Sequence, residues 1–323
     1  MKHLVVGGEG YIGQKLVSDL ININNDEVIS YDCIIYKQKK NSNFTNKKLY
    51  RLINDSMSNF KKYSKILTSV DSIIILAGLV GDPITKKYSK ISKKINENNI
   101  MNIMKMASKY KVSKSIFVST CSNYGLVNEN EFATERHKLK PLSLYSKSKV
   151  KCEKYFFKLK SNSPVILRFA TAFGLSDRMR FDLTVNEFTR DLFYKKKLDI
   201  YDQKSWRPYC HVSDFSRIIR KVLETKKSKV AYQIFNVGSN NNNCTKKDLV
   251  NKIIKILKYK KNNINYLNKG FDKRNYKVDF SKIEKVLKIK TKFDINYGIK
   301  EILSCFKKNK NLFKNKKLGN YKI

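Results

Sequence analysis

The chain has 323 residues, of which 41% are hydrophobic, and its formal net charge at pH 7 is +41. This length and apolar content predict a globular protein with a sizeable core, built as one large α/β unit or as two domains. No apolar run approaches the roughly 18 residues of a membrane span, and the N-terminus enters a strand without a signal-like cleavage site, so we expect a cytoplasmic protein with no membrane partner.

The six cysteines are widely scattered, without a C-x-x-C spacing, and the only histidines are His3, His137 and His211. This pattern predicts neither a zinc site nor a disulfide framework, and we expect no metal.

The positive charge has two interpretations. A basic surface could bind nucleic acid or an anionic membrane. Alternatively, Lys and Asn occupy solvated positions throughout, as in a proteome biased toward Lys and Asn codons. Lysines recur in nearly every predicted surface segment, without a zinc-finger, basic-zipper or RNA-recognition pattern. We therefore favour the second interpretation and expect no specific nucleic-acid partner. The densest run, 307–317, is interpreted as a solvated end.

The first predicted element is an apolar strand that ends in a glycine-rich turn. Gly7, Gly8, Gly10 and Gly13 lie within seven positions, and an apolar-periodic segment follows them. The pattern predicts strand, tight turn and helix, in which the glycines let the backbone approach a pyrophosphate at the helix N-terminus. The motif is weak alone, because a Gly-rich turn can also serve only to reverse the chain.

Two carboxylates follow the next predicted strands. Asp32 ends the strand Val28 to Asp32 and lies 19 residues beyond Gly13, close to the spacing at which an acid binds an adenosine ribose. An acid there repels a 2′-phosphate, which favours NAD over NADP, although an exposed loop aspartate is the alternative reading. Lys48 to Ile53 leads to Asp55, which could accept a hydrogen bond from the adenine amino group.

Further strands alternate with helical patterns. Ser72 to Leu79 predicts a buried parallel strand with a small end, a helical segment runs from about Ile91 to Tyr110, and Ser115 to Thr120 is the next strand. Five or more strands separated by helices predict an α/β fold with a doubly wound parallel sheet (Rossmann), with ligands at the carboxyl ends of the strands.

Tyr145 and Lys149 lie four residues apart on a predicted helix that runs to about Lys160, so they share a face one turn apart. A lysine cation beside a phenol favours the phenolate and suits Tyr145 to acid/base work near neutral pH. Y-x-x-x-K is common by chance in this chain. The motif is informative because it lies 25 residues after Thr120, whose hydroxyl is at a strand end.

The second half contains more strands and a polar loop. Pro164 to Phe169 is a sixth strand, and Thr171 to Gly174 is predicted to turn out of it. Leu175 to Phe188 predicts a loop and short helix over the open end of the sheet. Arg207 suits a phosphate, or alternatively packs over an aromatic ring. Gln233 to Gly238 is a further strand, and about 240 to 305 predicts short helices and a strand, with Arg274 on a polar connection.

These patterns predict two domains. Residues 1–173, rejoined by about 209–238, form an NAD-binding Rossmann domain, and 174–208 with 239–323 form a smaller, mostly C-terminal α/β substrate-binding domain.

The ordered set of motifs resembles the extended short-chain dehydrogenase/reductase superfamily, in the NAD-dependent epimerase/dehydratase branch that acts on sugar nucleotides. The resemblance runs from about residue 2 to 303, and it is specific as a series although each part is weak. Its motifs are Gly7-Gly8-x-Gly10-Tyr11-Ile12-Gly13, Asp32, Asp55, Leu76-Ala77-Gly78, Asn98-Asn99, Thr120 to Gly125, Tyr145-x-x-x-Lys149, Leu167-Arg168-Phe169 and Arg207 to Asp214.

The resemblance implies NAD as cofactor, with Asp32 on the adenosine ribose and Asp55 on the adenine. Thr120 would hydrogen-bond the sugar hydroxyl being oxidised, Tyr145 would take its proton, and Lys149 would hold the nicotinamide ribose while tuning Tyr145. The other implied cofactor-binding residues are Gly7, Gly10, Tyr11, Ile12, Gly13, Leu76, Ala77, Gly78 and Asn99. The implied contacts to the nucleotide and pyrophosphate of the substrate are Asn186, Arg207 and the neighbourhood of Arg274.

Two departures from the family pattern bear on the reaction. Sugar-nucleotide 4,6-dehydratases carry an Asp-Glu pair just after the Thr, whereas this chain has Cys121 and Ser122. Neither replaces a carboxylate at neutral pH, so dehydration is disfavoured. Fucose-synthase-like enzymes place a cysteine where Ser122 stands, so Cys121 is interpreted as a packing or lining residue.

The sequence thus predicts an NAD-dependent epimerase of a nucleotide-activated sugar, acting through a transient keto intermediate and closest in pattern to the 4-epimerases. The enzyme alternatives are an NAD(P)H-dependent keto-sugar-nucleotide reductase and, less favoured, a sugar-nucleotide dehydratase; the non-enzyme alternative is a basic nucleic-acid-binding protein. The resemblance also implies a homodimer through the helix bearing Tyr145 and its predecessor, where Ile103, Phe156 and Leu159 are apolar.

Overall fold

The computed structural model describes residues 1–36, 44–159, 163–258, 263–267, 272–309, 313–314 and 318–322. The predicted helix end at Lys160 and part of the lysine-rich run 307–317 lie outside these residues.

The described residues form strands and α-helices along the whole length of the chain, and the two kinds of element alternate in its first half. The strands are β1 Lys2–Val6, β2 Glu27–Asp32, β3 Tyr50–Asn54, β4 Ser72–Ile75, β5 Lys114–Thr120, β6 Phe132–Ala133, β7 Pro164–Phe169, β8 Thr171–Phe173, β9 Leu198–Tyr201, β10 Trp206–His211, β11 Gln233–Val237, β12 Asn243–Thr245, β13 Ile264–Leu267 and β14 Lys277–Val278. The α-helices are α1 Tyr11–Asn22, α2 Phe60–Leu67, α3 Asp82–Lys87, α4 Ser89–Lys93, α5 Ile100–Lys109, α6 Leu144–Lys158, α7 Thr184–Phe193, α8 Val212–Glu224, α9 Lys227–Val230, α10 Lys246–Leu257, α11 Ser281–Leu287 and α12 Ile295–Lys308.

Seven strands form one sheet in the order β11-β7-β5-β4-β1-β2-β3. Each neighbouring pair is parallel, as in the register of Leu4 with Ile29 and with Ile73. The central strands are runs of buried Val, Ile and Leu because helices cover both faces. Helices α1 and α8 pack on one face, and α2, α5 and α6 pack on the other. The predicted doubly wound parallel sheet is therefore confirmed.

The strand order reverses between β1 and β4. From β1 the chain builds outward through β2 and β3, and from β4 it builds outward in the opposite direction. Such a reversal leaves a crevice beyond the carboxyl ends of the two strands, which is where open α/β sheets bind ligands. Val6 and Ile75 pair at the ends of β1 and β4, and the residues that follow them, Gly7 and Leu76, line a cavity there.

The remaining elements form smaller units. A three-stranded sheet has the order β12-β10-β8, and β9 pairs with β13. Helices α7, α10 and α12 pack against one another. Strand β10 pairs with β8 and β12 in the three-stranded sheet, whereas β11 joins the seven-stranded sheet. The chain therefore passes between the large sheet and the smaller units more than once. The predicted domain limits stay a prediction.

Two local structures differ from their predicted form. The segment predicted as one helix from Ile91 to Tyr110 contains a π-helical stretch, Lys94–Asn99, between α4 and α5. Thr171–Phe173, predicted as a turn, is strand β8 because it pairs with Tyr209–His211 of β10.

Two of the residues predicted for a dimer interface are buried in the core of the chain. Ile103 and Phe156 are 0% exposed, and the Phe156 ring packs edge-on against Phe117 beneath the sheet. Leu159 is partly buried against the same cluster. These apolar positions are explained by the core, so they no longer support a dimer, which stays a prediction.

Candidate active site

A cavity of about 1330 Å³ lies at the crevice between β1 and β4. Its lining comes from the carboxyl ends of the sheet strands, from the start of α6, from the loop 174–183 and from 272–274 and 320–321. Ligand pockets usually measure about 300–1,000 Å³, so this cavity has room for more than one ligand.

The glycine-rich turn forms one wall of the cavity. A Cβ atom on Gly13 would lie 2.2 Å from the carbonyl oxygen of Gly7, and one on Gly7, whose φ is +89°, would lie 2.7 Å from the Ala77 nitrogen. The N-cap of α1 is Gly10, with no side-chain cap in the described residues, so the first N–H groups of the helix are open to an anion. This cradle fits the pyrophosphate of a dinucleotide.

Asp32 lies at the carboxyl end of β2 and lines the cavity. Its carboxylate accepts hydrogen bonds from the backbone N–H groups of Glu9 (3.0 Å) and Ile34 (2.8 Å). Burial raises the pKa of Asp32, and these hydrogen bonds counteract the shift. The side chain is thus fixed beside the glycine turn, at the position predicted to bind the adenosine ribose.

Asp55 is absent from the described residues that line the cavity, and its predicted contact with the adenine stays a prediction. Its carboxylate pairs with Lys62 at 2.5 Å and accepts a hydrogen bond from Asn59 at 2.9 Å, and the Lys62 hydrogen bond lowers its pKa. The neighbouring Ser56 and Met57 line the cavity instead.

The segment Leu76 to Gly78 follows β4 and lines the cavity, as does Asn99. The backbone N–H groups of Leu76 and Ala77 both donate to the Val6 carbonyl at 2.9 Å. Asn96, on the π-helical stretch, accepts from the Leu79 N–H at 2.8 Å and donates to the Leu79 carbonyl at 2.9 Å. Asn96 therefore fixes this loop, a role that spacing did not single out.

Thr120 ends β5 and lines the cavity with Ser122. The two hydroxyl oxygens are 2.6 Å apart, and Thr120 Oγ1 also accepts from the Ser122 N–H at 3.1 Å. Cys121 is 1% exposed, and its thiol donates to the Arg168 carbonyl, while burial raises its pKa. Cys121 is therefore a packing residue.

Tyr145 and Lys149 are brought to the same cavity by α6, whose N-terminus is held by a capping box of Ser143 and Ser146. The Lys149 Nζ atom lies 5.7 Å from the centre of the Tyr145 ring and donates to the Val118 carbonyl at 2.8 Å. Burial lowers the pKa of Lys149 to about 8 and raises that of Tyr145. The positive charges that lower the pKa of Tyr145 belong to Arg180 and Arg274.

A buried polar network holds α6 against the sheet. Glu153 accepts hydrogen bonds from Ser119 (2.5 Å) and Asn123 (2.8 Å) and pairs with Arg168 at 2.7 Å. The side chains of Glu153 and Arg168 are only 4% and 3% exposed. Because Ser119 and Asn123 flank the Thr120 turn, the network fixes the Tyr145 helix relative to Thr120. The spacing of Tyr145, Lys149 and Glu153 along one helix face was the available sequence signal.

Arg274 lines the cavity, whereas Arg207 is not among the lining residues. Asp272 pairs with both guanidinium groups, at 2.7 Å from Arg274 and 2.8 Å from Arg207. Arg274 also pairs with Asp82 at 2.8 Å. Burial alone would raise the pKa of Asp272, but the two arginines hold it well below its usual range.

Asn186 is a buried structural residue that connects α1 to the loop after β8. Its amide accepts from the Gly174 N–H at 3.0 Å and donates to the Tyr11 hydroxyl at 3.2 Å and the Arg180 carbonyl at 3.0 Å. Tyr11, which donates to the Gly174 carbonyl at 2.6 Å, lines the cavity together with Ile12.

The structure therefore brings most of the predicted site residues to one cavity. Within the described part of the chain, Asp55, Asn186 and Arg207 are absent from its lining. The same residues contain no group of three or more His, Cys, Asp or Glu side chains that could hold a metal ion, and no helix among them is long and apolar enough to cross a membrane.

Comparisons with known proteins place the chain among related sequences and folds. The profile of the NAD dependent epimerase/dehydratase family matches residues 3–238. A putative UDP-glucose 4-epimerase of Methanocaldococcus jannaschii is 27% identical over 328 residues, which cover 95% of this chain and 98% of the relative.

Two solved structures share the fold. The Bacillus anthracis dTDP-glucose 4,6-dehydratase in complex with NAD has a TM-score of 0.85 at 23% identity, covering 97% of this chain and 99% of that one. The Thermotoga maritima UDP-glucose 4-epimerase with UDP-glucose also has a TM-score of 0.85, at 24% identity, covering 96% and 100%.

Proposed function

Because this chain belongs to the NAD-dependent epimerase/dehydratase family, with NAD as its cofactor, we propose that it epimerises a nucleotide-activated sugar through a transient keto intermediate. The glycine turn and Asp32 would hold the dinucleotide. The sugar would lie against Thr120 and Tyr145, with its nucleotide part toward Arg274.

Each proposed catalytic residue has a distinct task. Tyr145 takes the proton from the sugar hydroxyl, and Thr120 hydrogen-bonds the same oxygen. When bound, NAD supplies a reversible acceptor for the hydride on the oxidised carbon. Lys149 contributes positive charge and holds the nicotinamide ribose. Tyr145 returns the proton after the keto sugar presents its opposite face, so the sugar gains and loses no atoms overall.

The observation that favours epimerisation over dehydration is that the carboxylates in the cavity already have partners. Dehydration needs an acid and a base besides the tyrosine. Within the described residues, the cavity is lined by Asp32, Asp82, Asp182 and Asp272. Asp32 binds backbone N–H groups beside the glycine turn, and the other three pair with arginines. Cys121 and Ser122 add no carboxylate beside Thr120, so elimination of water has no evident catalyst.

The test combines cofactor content with turnover. Purified protein is denatured and the released dinucleotide is identified by mass spectrometry, and the intact protein is incubated with a panel of nucleotide sugars beginning with UDP-glucose. We expect bound NAD and formation of an epimer without added cofactor. Tyr145→Phe should retain NAD and lower kcat by about 100-fold or more, because it removes the proton acceptor.

Other outcomes identify the alternatives. Stoichiometric loss of the reduced-nicotinamide absorbance would indicate a keto-sugar reductase, and a product lighter by one water would indicate a dehydratase. Protein without bound NAD or turnover of any nucleotide sugar, in which Tyr145→Phe behaves as wild type, would refute the proposal.

A further inference from the structure

Arg178 occupies an unusual position in the cavity wall. It lies on the loop between β8 and α7, lines the cavity and is 7% exposed. Its guanidinium donates to the Asn320 side-chain oxygen at 2.6 Å and stacks on Tyr36 at 4.6 Å from the ring centre. Both of these partners are neutral.

The other arginines of the cavity have carboxylate partners. Arg180 pairs with Asp182 at 2.5 Å, and Arg274 pairs with Asp272 and Asp82. Among the described residues, no carboxylate lies within 4.0 Å of the Arg178 guanidinium nitrogens. Accordingly, burial, with the nearby charge of Arg180, lowers the pKa of Arg178 to about 10, whereas the pKa of Arg180 and that of Arg274 are raised. Asp182 and Asp32 act on Arg178 only from beyond ion-pair distance, and a buried cation without a directly paired anion is costly unless a ligand supplies one.

The location of Arg178 indicates which anion that is. Its charge acts on Asp32, the residue at the predicted ribose position, and it stacks on Tyr36, which also lines the cavity. Arg274, by contrast, acts on Tyr145. Arg178 is therefore associated with the dinucleotide end of the cavity and Arg274 with the reacting end.

Asn320 holds this arginine in place. Besides accepting from Arg178, its side chain donates to the Val80 carbonyl at 3.1 Å. The Leu318 carbonyl accepts from the Phe181 N–H at 2.8 Å. The C-terminal segment 318–322 thus joins the loop after β4 to the loop that carries Arg178.

We propose that Arg178, oriented by Asn320, binds a pyrophosphate oxygen of the bound NAD in addition to the glycine turn. The inference rests on NAD as the cofactor and not on the identity of the sugar. It assigns the C-terminal segment a part in cofactor retention.

The test measures NAD affinity directly, by calorimetric titration of cofactor-stripped protein. Arg178→Gln should weaken NAD binding by at least about 10-fold, as expected for a lost charge-assisted hydrogen bond, and Arg178→Lys should restore part of it. Asn320→Asp should also weaken NAD binding, because it keeps the guanidinium but places a competing carboxylate on it. Arg51→Gln, at an exposed arginine of β3, is the matched control and should leave affinity unchanged.

Two results would overturn the proposal, and one would support it. Unchanged NAD affinity in Arg178→Gln, with circular dichroism showing a folded protein, would make Arg178 a structural residue. Unchanged NAD affinity with a raised KM for the nucleotide sugar would assign the guanidinium to the substrate. Loss of NAD affinity in Arg178→Gln would support the proposal even if no sugar is turned over, so its outcome is distinct from that of the epimerase test.

Discussion

Tyr145 and Lys149 share a helix face, yet their side chains have different immediate partners. Lys149 donates to the Val118 carbonyl. Burial raises the pKa of Tyr145, and the charges of Arg180, Asp82, Arg274 and Tyr276 act on it as well. Positive charge therefore reaches the phenol from guanidinium groups in distant parts of the chain, and the tuning of Tyr145 by Lys149 stays a prediction. Spacing on a helix predicted the shared face but not these charges.

The lowered pKa of Lys149 predicts the alkaline limit of activity. Burial places this pKa at about 8, so the cation is present below that pH and is lost as the pH rises through it. If its charge holds the cofactor and assists Tyr145, kcat/KM should fall above about pH 8. Lys149→Arg keeps the charge to higher pH and should move this fall upward, measured in a pH series. An identical alkaline limb in both proteins would contradict the role of Lys149.

The Thr120 hydroxyl provides a second test at a single residue. Thr120→Val removes the hydroxyl and should lower kcat by about 10-fold or more while NAD remains bound. Thr120→Ser keeps the hydroxyl and should retain most of the activity. Equal activity in the two variants would show that the Thr120 hydroxyl does not contact the reacting oxygen.

Among the secondary-structure elements, α6 depends on one buried ion pair. Removing one partner of such a pair leaves an uncompensated charge, so Glu153→Gln should lower the free energy of unfolding by about 3–5 kcal/mol. Lys151→Ala, which breaks the surface pair with Glu97 on the same helix, should cost less than about 1 kcal/mol. Urea denaturation measures both. A Glu153→Gln loss as small as that of Lys151→Ala would show that the network does not anchor α6.

The glycine turn between β1 and α1 offers a matched pair of positions. A Cβ on Gly13 would collide with backbone atoms of Gly7 and Gly8, whereas the nearest atom to a Cβ on Gly10 is 3.3 Å away. Gly13→Ala should therefore lower the free energy of unfolding by about 1–3 kcal/mol, and Gly10→Ala by clearly less. Equal losses in cofactor-stripped protein would contradict this packing.

The sequence predicts the features that depend on local patterns, and it does not predict contacts between residues that are far apart in the chain. Alternating strands and helices predict a parallel sheet, and the residue pattern around Asp32 and Thr120 places both of them at strand ends. This part of the site can be predicted because it depends on neighbouring residues in the sequence. Asp55 also follows a predicted strand, but its ion pair with Lys62 depends on side-chain direction, which spacing does not determine. Arg178 meets Asn320 across 142 residues of sequence, and no local pattern connects them.

Considered as a whole molecule, the chain carries a net charge of +41, and its surface lysines repel one another. Salt screens repulsion between exposed charges, with a screening length of about 30 Å at 0.01 M and about 3 Å at 1 M ionic strength. The melting temperature of cofactor-stripped protein should therefore rise with sodium chloride over this range. A melting temperature that falls with salt would show that attractive pairs outweigh the repulsion.

The proposed reaction oxidises a sugar carbon and reduces it again within one cavity. The most direct measurement follows a nucleotide sugar deuterated at C4, incubated with the purified protein in ordinary water without added cofactor. We predict that nuclear magnetic resonance will show the C4 epimer with its deuterium retained, because the hydride leaves and returns on the same bound NAD. A product that has lost water, or an epimer whose C4 carries hydrogen from the solvent, would contradict the claim.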